Sequence, residues 1–234
     1  MRSIKNNMKI DWFLAEQMFY RCLNAKYIHI DECGGDYAIE EDSSEETLYL
    51  LFQWSHGTED WKSNFNFPAR PYKDMKLKWY CHRGFLRVWK GIEDRILPHV
   101  LNQKYKKIII VGYSHGAAIA TFAHEFVWFH RPDLRDGNNI EGYGFGCPRV
   151  MFGFATKKLL KRWENFHPIR NLNDIVTHVP PVLFGFRHVN KVIKIGTEIH
   201  YKDERHPKRR KCILAHYPQN YIFSLDQKYK DQSK

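Results

Sequence analysis

Two hydrophobic periods alternate along the chain. Short β-branched and aromatic runs read as strands, and longer stretches with an apolar residue every three or four positions read as helices. Residues 11–24 have the helical period, with Phe13, Leu14, Met18, Phe19 and Leu23 on one face. Strands are predicted over 37–40 and 47–53, separated by an acidic turn that carries Glu40, Glu41, Asp42, Glu45 and Glu46. Another strand is predicted over 76–81. Residues 84–103 place Phe85, Val88, Trp89, Ile92, Ile96 and Val100 at helical spacing, and Pro98 is expected to kink that helix or end it early. The next elements are a strand over 106–112, a helix over 115–130 closed by Arg131-Pro132, and a strand over 142–146. A helix over 149–164 and strands over 165–170 and 189–195 complete the pattern. Strands that alternate with crossover helices predict an α/β fold with a largely parallel central sheet flanked by helices.

One strand-to-helix junction carries chemistry. Ile108-Ile109-Ile110-Val111 runs into Gly112-Tyr113-Ser114-His115-Gly116, and Ala117-Ala118 opens the following helix. This is the layout of a nucleophile elbow, in which a sharp turn exposes the serine and the flanking glycines avoid Cβ clashes. An activated serine needs a base, and the base needs an acid to orient it. Downstream, Asp174 follows an apparent strand, and His216 lies close to the last residue of the chain. His178, His188 and His200 are rival bases by position. Cys147 sits in a glycine-rich turn and reads as a small turn or core residue.

Length and composition add modest bounds. At 234 residues, with 43% hydrophobic and 15% aromatic content, residues 1–234 read as one globular domain. The five cysteines are widely spaced and show no metal-ligand pairing, so buried free thiols are expected. The apolar run at 12–15 is cut by Glu16. The expected location is therefore cytoplasmic, or outside the cell by a route that needs no recognisable signal peptide. The net charge of +11 admits a solvated basic surface, an anionic membrane surface or nucleic acid. The densest basic run is Lys208-Arg209-Arg210-Lys211. Nucleic acid has only this charge behind it, since no zinc-finger or ribonucleoprotein motif is present.

Several ordered motifs together resemble the class 3, or fungal-type, lipases of the α/β-hydrolase fold. Leu51-Phe52 followed by Gly57-Thr58 and Asp60-Trp61 resembles that family's oxyanion segment. His82-Arg83-Gly84-Phe85 is similar to its His-x-Gly-Phe motif, and Gly112–Gly116 to its elbow. Gly146-Cys147-Pro148-Arg149-Val150 resembles its Gly-x-Pro-Arg-Val turn. Asn173-Asp174-Ile175-Val176 with Pro180-Pro181 resembles its acid loop, and His216-Tyr217 its terminal histidine segment.

The resemblance implies a serine hydrolase acting on carboxylic esters of lipids. Ser114 would be the nucleophile, His216 the base and Asp174 the acid. The Thr58 and His115 backbone N–H groups would face the oxyanion, with the Thr58 hydroxyl as a further donor. No metal or organic cofactor is implied. The implied partners are a lipid ester and, peripherally, an anionic lipid surface. A phospholipase or small-ester esterase is the nearest alternative, and a catalytically dead lipid-surface module another.

Three positions depart from the family pattern. His56 stands where arginine is usual, Ala215 where aspartate is usual, and His115 where leucine is familiar. The His115 side chain is expected to pack or face solvent rather than act as a second base. Residues 61–80 read equally as a lid or as an aromatic-rich connection. Residues 182–186 read as an acyl-pocket lining or as core.

Overall fold

The computed structural model describes residues 10–53, 68–73, 78–196 and 213–233. The strands, in chain order, are β1 (Ile28–Ile30), β2 (Gly35–Asp42), β3 (Thr47–Gln53), β4 (Ala69–Tyr72), β5 (Trp79–His82), β6 (Lys107–Tyr113), β7 (Ile140–Phe145), β8 (Met151–Phe152), β9 (Phe166–Asn171), β10 (Phe186–Arg187) and β11 (Ile193–Ile195). The α-helices are α1 (Trp12–Asn24), α2 (Arg83–Val100), α3 (His115–His130), α4 (Lys157–Leu160) and α5 (Pro218–Gln232).

A seven-stranded sheet runs in the order β1-β2-β3-β6-β7-β9-β11. β1, β2 and β3 pair antiparallel, and every pairing from β3 to β11 is parallel. The acidic turn is the hairpin between β2 and β3. Asp42 Oδ1 accepts from the Ser44 N–H, the Ser44 hydroxyl and the Glu45 N–H, which folds the turn locally.

The strand period of two divides the core between the two faces of this sheet. Leu48, Leu50 and Phe52 of β3, with Ile108 and Ile110 of β6, pack toward α2 and α3. Tyr49 and Leu51, with Ile109, Val111 and Tyr113, pack toward Ala15, Met18, Phe19 and Cys22 of α1 and Tyr221 and Leu225 of α5. Burial of each such side chain contributes about 1.5–3 kcal/mol. Residues 116–127 of α3 are all buried, so the helix that begins at the elbow lies in the middle of the molecule. A second, antiparallel sheet, β10-β8-β5-β4, joins the core on the α2–α3 side through Tyr72, Trp79, Cys81 and Met151.

Several elements differ from expectation. The helix expected over 149–164 is instead β8, a turn at Gly153, the four-residue α4 and a 3-10 turn over Lys161–Trp163. Tertiary pairing overrides the apparent helical period there. Met151 and Phe152 pair with both β5 and β10, and the Arg149 guanidinium donates to the Pro180 carbonyl and to that of His178. Pro98 does not end α2 early: it sits in the last turn, and the helix runs on to Val100. Only Ile193–Ile195 of the strand expected over 189–195 pairs, and the strand expected over 76–81 is Trp79–His82, residues 74–77 lying outside the described part. Cys22, Cys33, Cys81 and Cys147 are buried and free.

Candidate active site

Ser114 lies between β6 and α3 with φ 58° and ψ −124°. A non-glycine residue in that region is strained by about 1–3 kcal/mol, and the surrounding packing enforces it. The Ser114 N–H donates to the Phe145 carbonyl at 2.9 Å, which holds the turn against β7. The hydroxyl makes no capping bond to α3, so it remains available for chemistry. The glycines are a steric necessity. A Cβ on Gly112 would lie 2.3 Å from the Gly116 carbonyl oxygen, and one on Gly116 would lie 2.0 Å from the Phe52 carbonyl oxygen. Backbone atoms on both sides leave no room to adjust. Gly116→Ala is therefore expected to cost ~3 kcal/mol or more. Thermal unfolding should register that as a drop in Tm on the order of 10 °C, and an unchanged Tm would mean that the elbow relaxes freely.

The three residues expected to act together do meet. His216 Nε2 lies 2.8 Å from Ser114 Oγ, and His216 Nδ1 lies 2.8 Å from Asp174 Oδ2. Asp174 is fully buried and His216 nearly so. The chain of contacts has the nucleophile–base–acid order that activates a hydroxyl. Asp174 leaves the end of β9 in a tight turn, where its Oδ1 accepts from the Val176 N–H at 2.8 Å. His216 ends a 3-10 turn, Leu214–His216, just before α5.

Residues that sequence reasoning passed over hold this arrangement. The Tyr221 hydroxyl of α5 donates to Asp174 Oδ2 at 2.6 Å and accepts from the Asn171 N–H at 3.1 Å. Burial and the adjacent Asp174 charge push the Tyr221 phenol well up, so it stays a donor. Tyr113 stacks on the His216 ring, with centroids 5.1 Å apart at 19°, and its hydroxyl donates to the His216 carbonyl. Burial, then Asp174, pushes that phenol up as well. Asn171 Nδ2 donates to the Ala215 carbonyl at 3.1 Å, tying the histidine turn to β9. Gly146 has φ 61°, and a Cβ there would lie 2.6 Å from His216 Cε1. The signal for Tyr221 was its i, i+4 pairing with Leu225, the mark of a buried helix face.

Removing the Tyr221 hydroxyl leaves the Asn171 N–H without its acceptor and Asp174 short of one donor. Tyr221→Phe should therefore lower stability by about 1–3 kcal/mol. It should also lower kcat about tenfold, the effect of ~1.4 kcal/mol. An unchanged kcat with lowered stability would confine Tyr221 to a structural role.

The remaining expectations sort clearly. The rival bases are engaged elsewhere: His178 Nδ1 lies 2.8 Å from the Asp174 carbonyl oxygen, and His188 Nε2 lies 3.0 Å from that of Thr177. His200 lies outside the described residues. The His115 ring packs edge-on against Phe85 at 5.0 Å. Desolvation, with nearby His82 adding to it, pushes that imidazole down to about 3, which makes it a weak proton acceptor, ill suited to be a second base. Its backbone N–H belongs to the first residue of α3, where no intrahelical acceptor exists. Burial pushes the Cys147 thiol up to about 12, unsuited to a nucleophile. Ala215 is fully buried, a place where the aspartate usual in the family would add a charge. Thr58, His56, the 208–211 run and most of 61–80 lie outside the described residues.

The model of the lipase (class 3) family matches residues 49–184, more than half of the chain. The chain belongs to the class 3 lipase family. A secreted mono- and diacylglycerol lipase of Fusarium solani is 26% identical over 156 residues, which is 65% of this chain and 45% of the relative. A lipase of Rhizopus niveus is 31% identical over 173 residues, covering 69% of this chain and 42% of the relative. This class 3 lipase chain thus spans less than half the length of these curated relatives. The solved triacylglyceride lipase of Rhizomucor miehei superposes with a TM-score of 0.66 at 19% identity, over 88% of this chain and 89% of that one. The shared fold is the α/β-hydrolase fold, which the resemblance implies and whose largely parallel sheet the alternation of strands and helices predicts.

Proposed function

We propose that this class 3 lipase chain is a serine hydrolase that cleaves carboxylic esters of lipids. The observation that carries the reading is the 2.8 Å, 2.8 Å relay from Ser114 through His216 to Asp174, seated on a strained elbow. In this reading Ser114 Oγ attacks the ester carbonyl carbon while His216 Nε2 takes the hydroxyl proton. Asp174 keeps the Nδ1–H tautomer and stabilises the imidazolium. The tetrahedral oxyanion faces the start of α3, where the His115 N–H is one donor, and Thr58 is the proposed second. Each such donor contributes about 2.7–4 kcal/mol to the transition state. Collapse breaks the ester C–O bond, and the imidazolium returns its proton to the leaving alcohol. His216 then takes a proton from water as its oxygen attacks the acyl carbon, the acyl bond to Ser114 Oγ breaks, and the imidazolium returns its proton to Oγ as the acid leaves. The sequence of steps uses only this chain's residues and water.

The curated relatives act by name on acylglycerols or as lipases, which supports an acylglycerol ester as substrate. The Fusarium solani relative is secreted by name, and export of this chain is proposed on that ground. The test is turnover of emulsified triacylglycerol, diacylglycerol, phospholipid and a soluble short-chain ester by wild type and Ser114→Ala. Serine-dependent release of fatty acid from acylglycerol supports the proposal. Release only from phospholipid or only from the short ester would move it to a phospholipase or an esterase.

A further inference from the structure

A polar cavity of about 440 Å³ opens at the end of the sheet opposite the relay. Its walls are the second half of α3, the segment leading into β7 and the residues just before β9. Asn165, in this wall, immediately precedes β9, whereas Asp174 follows the other end of that strand. The six residues of β9 put on the order of 20 Å between the two places.

Two side chains of the wall carry buried polar atoms without partners. His124 is 1% exposed, with its ring packed edge-on against Phe166. Neither of its ring nitrogens has a hydrogen-bond partner among the described residues. Burial, with His167 adding to it, pushes the imidazole down to about 3, while the Arg162 carbonyl pulls the other way. A ring so disfavoured as a cation has one N–H to give and one nitrogen that accepts. Asn165 Nδ2 donates to the Gly137 carbonyl at 3.0 Å, which sets the orientation of the amide. Its buried Oδ1 accepts from no group among the described residues. Buried polar atoms ordinarily find partners, so three orphaned atoms around one cavity call for a polar occupant.

The same wall carries positive charge. Arg135 Nε donates to the Trp128 carbonyl at 2.8 Å and Nη2 to the Phe129 carbonyl at 3.1 Å, which closes the end of α3. These bonds anchor the guanidinium 3.9 Å from the centre of the Trp128 ring. Arg162 approaches that ring at 5.1 Å and is ion-paired with buried Glu125 at 2.6 Å. Burial, then the Arg162 charge, draw the Arg135 guanidinium below its usual range, and no carboxylate offsets them. Neither Arg135 nor the exposed Lys161 has a carboxylate within ion-pair distance among the described residues. Asp136 and Glu164, the acids of the lining, are exposed and therefore screened by water.

Counting donors and acceptors selects the ligand. A bare oxyanion would meet the cations and the His124 N–H but would set its oxygens against two acceptors. A neutral polyol would meet the acceptors and leave the cations unmatched. We propose that this cavity binds a small hydroxylated oxyanion of the polyol phosphate type. Its phosphate lies between Arg135 and Lys161, and its hydroxyls donate to Asn165 Oδ1 and the accepting nitrogen of His124. A phosphate carries more charge than a carboxylate and suits two cations on separate segments. The volume is that of a small-molecule site. Binding there needs no ester chemistry and stands apart from the relay.

The test uses the full chain and glycerol 2-phosphate, which has no carboxylic ester to cleave. Calorimetric titration at constant ionic strength should show saturable binding at one site, about tenfold tighter or more than inorganic phosphate or glycerol alone. Lys161→Gln should weaken it about tenfold, the loss of one charge-assisted hydrogen bond. Lys161 is exposed, so the fold should keep its stability in that variant. His124→Phe removes both orphaned nitrogens and should abolish binding. Its Tm should stay at or above that of wild type, because the imidazole has no hydrogen bond to lose.

The absence of saturable heat with glycerol 2-phosphate would overturn the proposal and leave the cavity to water. Inorganic phosphate that binds as tightly as glycerol 2-phosphate would overturn it too, reducing the site to general attraction for anions. Unchanged affinity in Lys161→Gln would place the ligand elsewhere on the molecule, and that variant decides the matter even where His124→Phe does not fold.

Discussion

Ser114→Ala should lower ester turnover about a millionfold, as in other serine hydrolases that lose the nucleophile. Alanine occupies the same backbone conformation with the same Cβ, and the serine hydroxyl makes no capping bond to α3. The fold should therefore survive, and Tm should stay within about a degree of wild type. His216→Ala should be about as damaging as Ser114→Ala, because serine and base act as a unit. The double variant should then be no worse than either single one. Multiplicative losses in the double variant would mean that the two side chains work independently, contrary to their 2.8 Å contact. The measurement is single-turnover and steady-state release of acid from a soluble ester, which keeps adsorption to lipid out of the comparison.

Asp174→Asn should lower kcat about ten-thousandfold, with little loss of substrate binding. All the Asp174 side-chain partners described are donors or, in the case of His216, must be one: the Val176 N–H, the Tyr221 hydroxyl and the His216 Nδ1–H. An asparagine brings an NH2 group into a site built for an acceptor only. Turning that group toward His216 forces the proton onto Nε2, which then points a donor at Ser114 and cannot take its proton. Turning it the other way sets two donors against each other at Val176. In either case a buried polar group is left without a suitable partner, which costs about 1–3 kcal/mol of stability. A near-normal kcat in Asp174→Asn would hand the acid role to another carboxylate. A loss confined to KM would show that Asp174 shapes the binding surface and leaves the base alone.

The chain of amino acids made much of this legible, and the reason is local. The elbow is a strand, two glycines at fixed spacing and an alanine-rich helix, all within a dozen residues, so the pattern carries its own context. The parallel strands that flank it, Lys107–Tyr113 and Ile140–Phe145, are buried on both faces and therefore read as apolar runs. The misread parts are those in which distant segments decide the outcome. Met151 and Phe152 form a strand because β5 and β10 offer edges to pair with, a fact absent from their own neighbourhood. Val182–Phe184, read as an acyl-pocket lining or as core, form an exposed 3-10 turn, so core is the reading that fails there.

The candidate site divides in the same way. Ser114, Asp174 and His216 were found through motifs, whereas Tyr113, Asn171 and Tyr221 were not. Tyr113 lies inside the elbow motif at a position where many residues are tolerated, and its value comes from stacking on a histidine 103 residues away. Tyr221 reaches Asp174 across 47 residues from the buried face of α5, where in one dimension it looks like an ordinary aromatic core position.

The central claim is that Ser114 is an activated nucleophile, and covalent labelling with a fluorophosphonate probe tests it most directly. Wild type, Ser114→Ala and His216→Ala are treated side by side, with and without lipid vesicles, and the modified peptide is mapped by mass spectrometry. The account predicts a single adduct on Ser114, absent in Ser114→Ala and reduced to background in His216→Ala. Labelling on a different residue, or none on folded wild type with vesicles present, would contradict it.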